Sequence, residues 1–357
     1  MAFGYYSPVT VNAAQVPSAQ TNFPMLVSYT DARLKTVGNG GHVQNANGYD
    51  IRPYDGIGGS AMTFELERYN ASTGEVIMWV LVPSCDVGSI VYLYYGDATI
   101  STNGSSTSTW NSNFKGVWHL PDGTTLGALD SVSSPVNGTV TGATAVAGKI
   151  DGAANFSGTQ YISFGNGSFT KIDGATECSV SCIVRTTSLS NFQVIVSSWN
   201  NGVSEFKWML FIGTSGEIYF QINTAAGGST YINGTATHLS INTTYFITAT
   251  WVAATNTMKC YINGTVDATG TTTLGTPPSS IVNAPNTSLR ISTDQNNGGA
   301  NTYPVVGWVD EVNVLNVAIS QNWETTKYNN QSAPSTFATL GAEVSLLNQT
   351  NFFRMFN

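Results

Sequence analysis

A single acidic residue in a strand-like run is the first candidate for chemistry. The run GWVDEVNVLNVAIS spans residues 307–320, and its alternation places Asp310 on the same side as the apolar Trp308 and Val312. Burying an ionised carboxylate is costly unless the group is paired or binds a metal. No lysine or arginine lies in this run. Asp310 is therefore predicted either to bind a cation or to accept backbone N–H groups that lock a neighbouring loop.

A second candidate is the acidic pair Glu65 and Glu67 in the run FELER. Residues two apart in a strand lie on one face about 7 Å apart, and glycosidase carboxylates lie about 5 to 9.5 Å apart. The spacing therefore permits acid–base chemistry. Because Phe64 and Leu66 would occupy the opposite face, we expect both glutamates on the solvated side of a half-buried strand.

Other catalytic signatures are missing from the sequence. It contains no G-x-S-x-G nucleophile elbow, no H-E-x-x-H zinc motif and no glycine-rich phosphate loop. We therefore expect a protein that is not an enzyme. A secreted protein that binds or degrades polysaccharides is the alternative.

Aromatic side chains are the third chemical feature, because sugar rings stack on flat apolar faces. The sequence has 8 Trp and 16 Tyr. Most tryptophans, such as Trp79 and Trp251, lie in apolar runs and are expected in a core. Trp199, in the turn-like SSWNNG, and Tyr231, in GGSTYING, are candidates for exposed ligand-binding positions. Packing beneath a loop is the alternative for each.

Composition restricts the class of protein. The 357 residues are 41% hydrophobic but only 10% charged, so solubility depends on Asn, Thr, Ser and Gly. This usage is typical of β-rich extracellular and virion proteins. The net charge of −8, with 13 Lys and Arg that form no cluster, argues against nucleic-acid binding. No apolar run approaches the roughly 20 residues that span a bilayer.

The first residues bear on location. The start, MAFGYYSPVT, has neither a basic segment nor an apolar segment of a signal peptide. This favours a protein made in the cytosol and carried outside in an assembly such as a phage particle. A signal peptide that has been removed is the alternative.

The four cysteines are predicted to be buried free thiols. Cys178 and Cys182 would lie about 13 Å apart in one strand, which exceeds the about 4.4–6.8 Å between the Cα atoms of a disulfide. Because the sequence has three histidines and no CxxC motif, a zinc site is not expected.

Short runs rich in Val, Ile, Thr, Tyr and Phe alternate with turn signals, which predicts antiparallel β-sandwiches. One helix is predicted over residues 319–331, with Ser320 as its N-cap. The polar tract 269–288 is predicted to be a surface loop. The clearest strand predictions are 75–82, 89–96, 216–223, 244–252 and 258–264, the last of which ends in an Asn-Gly turn.

Composition also predicts the domain boundaries. A polar, low-complexity stretch separates a first domain, residues 1–100, from a second, residues 115–344, and residues 101–114 form the predicted linker. The apolar tail 345–357 would be a sticky patch if it were exposed. It is expected either to fold back onto the first domain or to insert into a neighbouring subunit.

The first part of the sequence resembles the domain of unknown function DUF2341, over about residues 3–115. The resemblance depends on motifs that occur in order, at 21–56, 65–84 and 90–98. The second part is similar to a laminin-G-like, concanavalin-A-type sandwich. Its matching stretches are 115–123, 130–165, 244–264 and 308–320.

These resemblances imply an all-β fold with two tandem β-sandwich (jelly-roll) domains. Laminin-G-like sandwiches often hold a structural calcium ion at one rim, and Asp130 and Asp310 match that site. Asn137 and Gly138 lie where loop oxygens could complete a shell of about 6–8 ligands. Glucanases of this shape share an E-x-D-x-x-E strand, which this sequence lacks.

The combined expectation is an adhesion or decoration protein on the virion surface, with glycan binding in the laminin-G-like domain. An extracellular, secreted location is the alternative. The expected partners are protein neighbours in a capsid, tail or surface layer, further copies of the chain, and cell-surface glycans.

Overall fold

The computed structural model describes residues 3–121, 125–201, 203–224, 228–234, 237–295 and 303–346. The described residues divide into two compact units. The central unit comprises Ser112–Glu324, and the terminal unit comprises Met1–Asn111 together with Thr325–Asn357. Among the described residues, no helix has the length and apolarity needed to cross a membrane.

The first six strands belong to the terminal unit. The central β5 is buried continuously from Val76 to Val80, as expected for a strand covered on both faces. The sheet orders are β2-β5-β4 and β1-β6-β3. The strands are β1 (Tyr5–Val11), β2 (Gln20–Thr30), β3 (Arg52–Tyr54), β4 (Phe64–Asn70), β5 (Glu75–Cys85) and β6 (Ile90–Tyr95).

The central unit contains the next sixteen strands. They are β7 (Phe114–Trp118), β8 (Thr139–Thr141), β9 (Thr144–Ile150), β10 (Gly152–Ser157), β11 (Tyr161–Asn166), β12 (Glu177–Thr186), β13 (Gln193–Asn200), β14 (Glu205–Ile212), β15 (Ile218–Asn223), β16 (Ser229–Asn233), β17 (Tyr245–Val252), β18 (Thr257–Ile262), β19 (Thr265–Gly270), β20 (Thr272–Leu274), β21 (Ser288–Ile291) and β22 (Val306–Leu315).

These strands form two antiparallel eight-stranded sheets. One has the order β19-β18-β17-β12-β22-β10-β9, with β7 paired to β22, and the other has the order β20-β16-β15-β14-β13-β21-β11-β8. Side chains from both sheets meet in one buried cluster that includes Trp118, Phe156, Trp208, Phe220 and Trp251. The all-β sandwich prediction is confirmed. The tract 269–288, predicted as a loop, contributes the short β20.

After the central unit the chain returns to the terminal unit. Helix α1 (Gln321–Ser332) is followed by α2 (Pro334–Phe337), β23 (Ala338–Leu340) and β24 (Val344–Ser345), and both strands pair with β1. The predicted N-cap is present, because Ser320 Oγ accepts the Trp323 N–H at 3.2 Å. The predicted second domain, 115–344, is therefore too long, since its last twenty or so residues complete a sheet of the terminal unit.

Specific contacts fix this return within the terminal unit. Asn330 accepts the Leu26 N–H at 2.7 Å and donates to the Leu26 carbonyl at 2.9 Å. Leu346 donates its N–H to the Gly4 carbonyl at 2.8 Å. Residues 345 and 346 therefore fold back onto the terminal unit, which is the first of the two expectations for the tail. Residues 347–357 lie outside the described residues.

Most of the predicted linker, 101–114, is part of the terminal unit. Ser105 Oγ accepts the Leu66 N–H at 2.8 Å, and both Thr109 and Trp110 are buried. These contacts dock the segment along β4, so it is not a free linker.

Two local predictions are confirmed. The turn after β18 has positive φ at both Asn263 (50°) and Gly264 (76°), as a two-residue hairpin turn requires. All four cysteines are buried thiols that form no disulfide. Burial raises the pKa of the Cys85 thiol to about 12, so this thiol stays protonated near neutral pH.

Candidate functional site

A β-bulge changes the side to which Asp310 points. Val309 and Val312 both belong to the core cluster, although they are three residues apart. Between them the register against β12 shifts, and Glu311 has a φ of +50°. The extra residue reverses the alternation. The prediction that Asp310 shares a face with Val312 is therefore wrong: Asp310 pairs with Ile183, on the side away from the core.

Asp310 is nonetheless fully buried. Its carboxylate accepts hydrogen bonds from the backbone at the end of β9. Its Oδ2 accepts the N–H groups of Lys149 at 2.9 Å and Ile150 at 3.1 Å. Gly148 makes room for it, because a Cβ there would lie 2.8 Å from Asp310 Oδ2 and 1.9 Å from the Gly152 carbonyl oxygen. This arrangement corresponds to the second prediction for Asp310, a carboxylate that locks neighbouring backbone.

Asp130 holds a different loop. Its Oδ1 accepts the N–H groups of Val117 at 2.9 Å and Val132 at 3.3 Å. Its Oδ2 accepts the Val136 N–H at 2.9 Å and the Lys171 ammonium at 3.0 Å. The structure also brings Asn137 to Asp130, as predicted, since Asn137 Oδ1 accepts the Asp130 N–H at 2.9 Å.

The two carboxylates predicted to hold calcium already have partners within the protein. A carboxylate offers about four lone-pair positions, and four donors already contact Asp130. Lys171 supplies the positive charge that a metal ion would supply. The named donors to Asp310 come from a different segment, β9. Calcium binding by Asp130, Asn137 and Asp310 remains a prediction that needs a measurement in solution.

The two glutamates of β4 bind indole groups. Glu65 Oε2 accepts the Trp110 indole N–H at 2.6 Å, and Glu67 Oε2 accepts the Trp79 indole N–H at 2.7 Å. A buried indole needs such an acceptor. The expectation of a solvated face is therefore only partly correct, because each half-buried carboxylate also positions a tryptophan.

Trp199 is packed and does not lie in a turn. The run SSWNNG continues β13 as far as Asn200, and Trp199 is only 9% exposed. Its ring centroid lies 4.4 Å from that of Phe206, and its indole N–H donates to Asn201 Oδ1 at 2.9 Å. The prediction of an exposed Trp199 is wrong, since the aromatic partner and the polar cap both come from its own hairpin.

The structure shows an aromatic surface that the sequence predictions missed. We call Phe192, Phe211, Tyr219 and Tyr303 the aromatic platform. The Phe192 ring centroid lies 6.0 Å from Phe211, 6.5 Å from Tyr219 and 6.0 Å from Tyr303. Phe192 is 41% exposed and Tyr303 is 49% exposed. Two large rings of the central unit therefore present apolar faces to solvent.

Strand register places the inner half of the platform. Phe211 on β14 pairs directly with Tyr219 on β15, and their rings stack at 4.8 Å. The residues that precede and follow them in the chain point into the core. Tyr231, one of the two predicted ligand-binding aromatics, lies on β16 and is half-buried. Because it pairs with Gln221, two residues after Tyr219, it lies on the same face of the sheet as the platform.

The environment of Tyr219 favours the neutral form of its phenol. Burial raises the pKa of this hydroxyl, and the nearby Glu217 and Tyr231 raise it further. A tyrosine is already protonated at neutral pH because its ordinary pKa is about 10, and these effects extend that range, so the Tyr219 hydroxyl can donate a hydrogen bond to a ligand.

A cleft of about 440 Å³ lies beside the platform. Its lining contains hydroxyl and amide groups and no charged side chain, and consists of Gly158, Ser188, Ser190, Asn191, Phe192, Gln193, Tyr303, Pro304 and Val306. Both exposed rings belong to this lining. The cleft therefore combines apolar surface with uncharged hydrogen-bonding groups.

The loop that carries Phe192 is held by its own hydrogen bonds. Gln193 Oε1 accepts the Val306 N–H and the Thr186 hydroxyl, both at 2.9 Å, and its amide donates to the Ser188 carbonyl. The Tyr303 carbonyl accepts the N–H of the residue after Gln193 at 2.7 Å. These contacts fix the backbone of both exposed rings.

Comparisons with known proteins agree with the two-part organisation. Residues 156–323 match the family described as the concanavalin A-like lectin/glucanases superfamily. Residues 47–122 match the family described as domain of unknown function DUF2341. No curated protein matches the sequence.

Comparison with solved structures finds similarity to domains of three proteins, among others. Domain 4 of AbnA, a GH43 extracellular arabinanase from Geobacillus stearothermophilus solved with arabinotriose, is 17% identical, with coverage of 61% of this chain and 98% of that one and a TM-score of 0.44. The receptor binding domain of botulinum neurotoxin C/D mosaic serotype is 16% identical, with coverage of 62% and 52% and a TM-score of 0.46. The CBM40 of the Ruminococcus gnavus IT-sialidase, bound to α2,3-sialyllactose, is 14% identical, with coverage of 49% and 96% and a TM-score of 0.40.

Similarities at this level of identity and TM-score transfer no ligand and no function to this chain. The chain spans about half the length of the botulinum domain. The two family models match successive stretches of the sequence, in the predicted order, and they identify both parts. The chain contains a DUF2341 domain followed by a laminin-G-type domain of the concanavalin A-like lectin/glucanase superfamily.

Proposed function

We propose that this chain is a non-enzymatic carbohydrate-binding protein whose central unit binds a neutral glycan at the aromatic platform. The observation that carries the proposal is the exposure of Phe192 and Tyr303 beside an uncharged cleft. Large apolar side chains grouped on a surface mark binding sites, because leaving them in water is unfavourable.

The chemistry of the platform suits a pyranose ring. The C–H face of a sugar packs on an aromatic ring, and its hydroxyls need donors and acceptors around the rim. Ser188, Ser190 and Asn191 supply such groups next to Phe192. Because the cleft lining has no charge, a neutral sugar avoids the cost of burying an unpaired ion.

The fixed backbone of the platform favours binding. A loop that is already ordered loses little conformational entropy when a ligand binds. The hydrogen bonds of Gln193 and the Tyr303 carbonyl provide this order. Binding therefore costs little loop entropy, and most of the entropy that is lost belongs to the ligand.

The non-enzymatic part of the proposal is supported by the acidic pair of β4. Each glutamate binds a tryptophan indole, and Trp79 is fully buried. A carboxylate committed to such packing is poorly placed to change partners during a reaction. Hydrolysis of polysaccharides is the alternative function, and release of reducing sugar from a polysaccharide panel would establish it.

The proposed setting is the exterior of a particle or cell, with virion decoration preferred and secretion as the alternative. The low charge and the abundance of Asn, Thr, Ser and Gly support this setting. Protein neighbours in an assembly and further copies of the chain are the proposed partners. Co-purification of the chain with particles tests this part of the proposal.

The glycan proposal is tested on an array of neutral and acidic oligosaccharides, followed by titration calorimetry with the best neutral ligand. Phe192→Ala should weaken binding about tenfold. The substitution removes the exposed part of the Phe192 ring, about half of the side chain, which would otherwise pack against the sugar. Ile241→Ala is the matched control, since Ile241 is an exposed apolar residue of the same unit. If no neutral glycan bound, or if Phe192→Ala and Ile241→Ala bound the ligand with equal affinity, the proposal would be contradicted.

A further inference from the structure

A second pocket lies entirely within the terminal unit. Its volume of about 590 Å³ is within the range of about 300–1,000 Å³ that is typical of ligand sites. The pocket is formed by β3, by the chain entering β4 and by the segment after β6. Its lining includes Phe3, Arg52, Tyr54, Phe64, Asp97 and Gly104.

Arg52 is held in a defined position on the pocket wall. Its guanidinium carbon lies 5.2 Å from the centre of the Phe64 ring, and its Nη2 donates to the Thr102 carbonyl at 2.7 Å. A Cβ at Gly104 would lie 1.2 Å from Arg52 Nη1. A side chain at position 104 would therefore displace this guanidinium from its present position.

Among the described residues, only weak electrostatic effects offset the charge of Arg52. Burial lowers the pKa of this guanidinium, and the weaker, opposing effects of Tyr54 and Asp50 do not restore it. Within the described part of the chain, no carboxylate forms an ion pair with Arg52. A partly desolvated cation without an anion favours an anionic ligand, since an ion pair would offset the desolvation.

Asp97 provides the second polar group of the pocket. The residue is only 6% exposed. Its Oδ1 accepts the Thr99 N–H at 2.9 Å and the Thr99 hydroxyl at 2.6 Å. No hydrogen-bond donor of the described residues reaches Oδ2 of Asp97. This oxygen can accept a hydrogen bond from a ligand hydroxyl, and it would repel a second carboxylate.

Packed aromatic rings form the apolar part of the wall. Phe3 and Tyr54 lie edge to face, with centroids 5.9 Å apart, and Tyr54 contacts Tyr94 at 4.9 Å. This packing fixes the rings that a ligand would meet. The pocket thus combines ring faces, one cation and one acceptor.

We propose that this pocket binds a carboxylate-bearing sugar residue of the hexuronate class. The sugar carboxylate contacts Arg52, a ring hydroxyl donates to Asp97, and the C–H face of the ring packs on Tyr54. This site is separate from the aromatic platform, because its lining belongs to the other unit and its ligand is anionic.

The test is calorimetric titration of the full chain with trigalacturonate and with galactotriose, the neutral trisaccharide that lacks the carboxylates. Trigalacturonate should bind at least tenfold more tightly than galactotriose. Arg52→Gln should weaken trigalacturonate binding at least tenfold. Arg185→Gln is the matched control, because Arg185 also donates to a backbone carbonyl but lies in the central unit.

Arg52→Lys keeps the test decisive if Arg52→Gln does not fold. Lysine retains the charge but lacks the planar fork, so trigalacturonate should bind several-fold more weakly than it binds the unchanged chain. Unchanged affinity in the Arg52 variants would overturn the proposal. Equal binding of galactotriose, or of citrate as a carboxylate without a sugar ring, would also overturn it.

Discussion

Two regions of the central unit differ in how fully their chemical groups are used. The carboxylate of Asp130 contacts four donors, one of which is the Lys171 ammonium. The platform rings of Phe192 and Tyr303 remain about half exposed. A group whose contacts are all provided by the protein stabilises the fold, whereas a group with open surface can bind a ligand. Residue type alone does not distinguish the two.

The largest expected effect comes from removal of both exposed platform rings. The double variant Phe192→Ala, Tyr303→Ala should weaken neutral-glycan binding about 100-fold, which corresponds to about 2.7 kcal/mol. Its unfolding free energy should change by less than about 1 kcal/mol, since exposed residues contribute little to stability. Calorimetry and denaturant unfolding measure the two quantities. If the double variant were strongly destabilised but still bound the glycan, the platform rings would serve the fold and not the ligand.

The complementary change removes the cation beside Asp130. Lys171→Met should lower the unfolding free energy by about 1–3 kcal/mol, because a buried carboxylate loses a charged partner. Glycan affinity should stay unchanged. Lys149→Met is the matched control, since Lys149 is exposed and contributes only its backbone N–H to Asp310. Equal stabilities of the two variants would show that the Lys171 contact is unimportant.

A smaller effect is expected from metal removal. Because Lys171 already balances Asp130, EDTA treatment followed by addition of calcium should shift the melting temperature by less than about 2 °C, or about 0.5 kcal/mol for a unit of this size. Differential scanning calorimetry measures the shift. A rise of several degrees, with heat of calcium binding, would revive the metal prediction for Asp130 and Asp310.

The smallest effect is expected from salt. Neutral-glycan binding at the platform involves no ion pair, so an increase in NaCl from 50 to 500 mM should leave the affinity within about twofold. Titrations at the two salt concentrations measure this dependence. A tenfold loss of affinity would indicate that a charged group outside the cleft takes part in binding.

Much of the fold could be predicted from the sequence because strands and caps are local features. Runs rich in β-branched and aromatic residues, bounded by turn signals, located β5, β6, β15 and β17, and Ser320 marked the start of α1. The return of the chain to the terminal unit could not be predicted in this way. The pairing of β23 and β24 with β1 joins the two ends of the sequence, and no local pattern encodes such a partner.

The sites were harder to predict than the strands. The side to which Asp310 points depends on a bulge that is defined only by the register against β12. Alternation in β14 and β15 could have placed Phe211 and Tyr219 on the outer face. Phe192 and Tyr303 lie in irregular segments far apart in sequence, so only the tertiary fold shows that they meet.

The most direct test of the central claim is saturation-transfer NMR between the protein's aromatic protons and a bound neutral oligosaccharide. We predict strong transfer to the C–H protons on one face of the sugar ring, and its loss in Phe192→Ala but not in Ile241→Ala. Equally strong transfer in Phe192→Ala would place the glycan elsewhere and contradict the account.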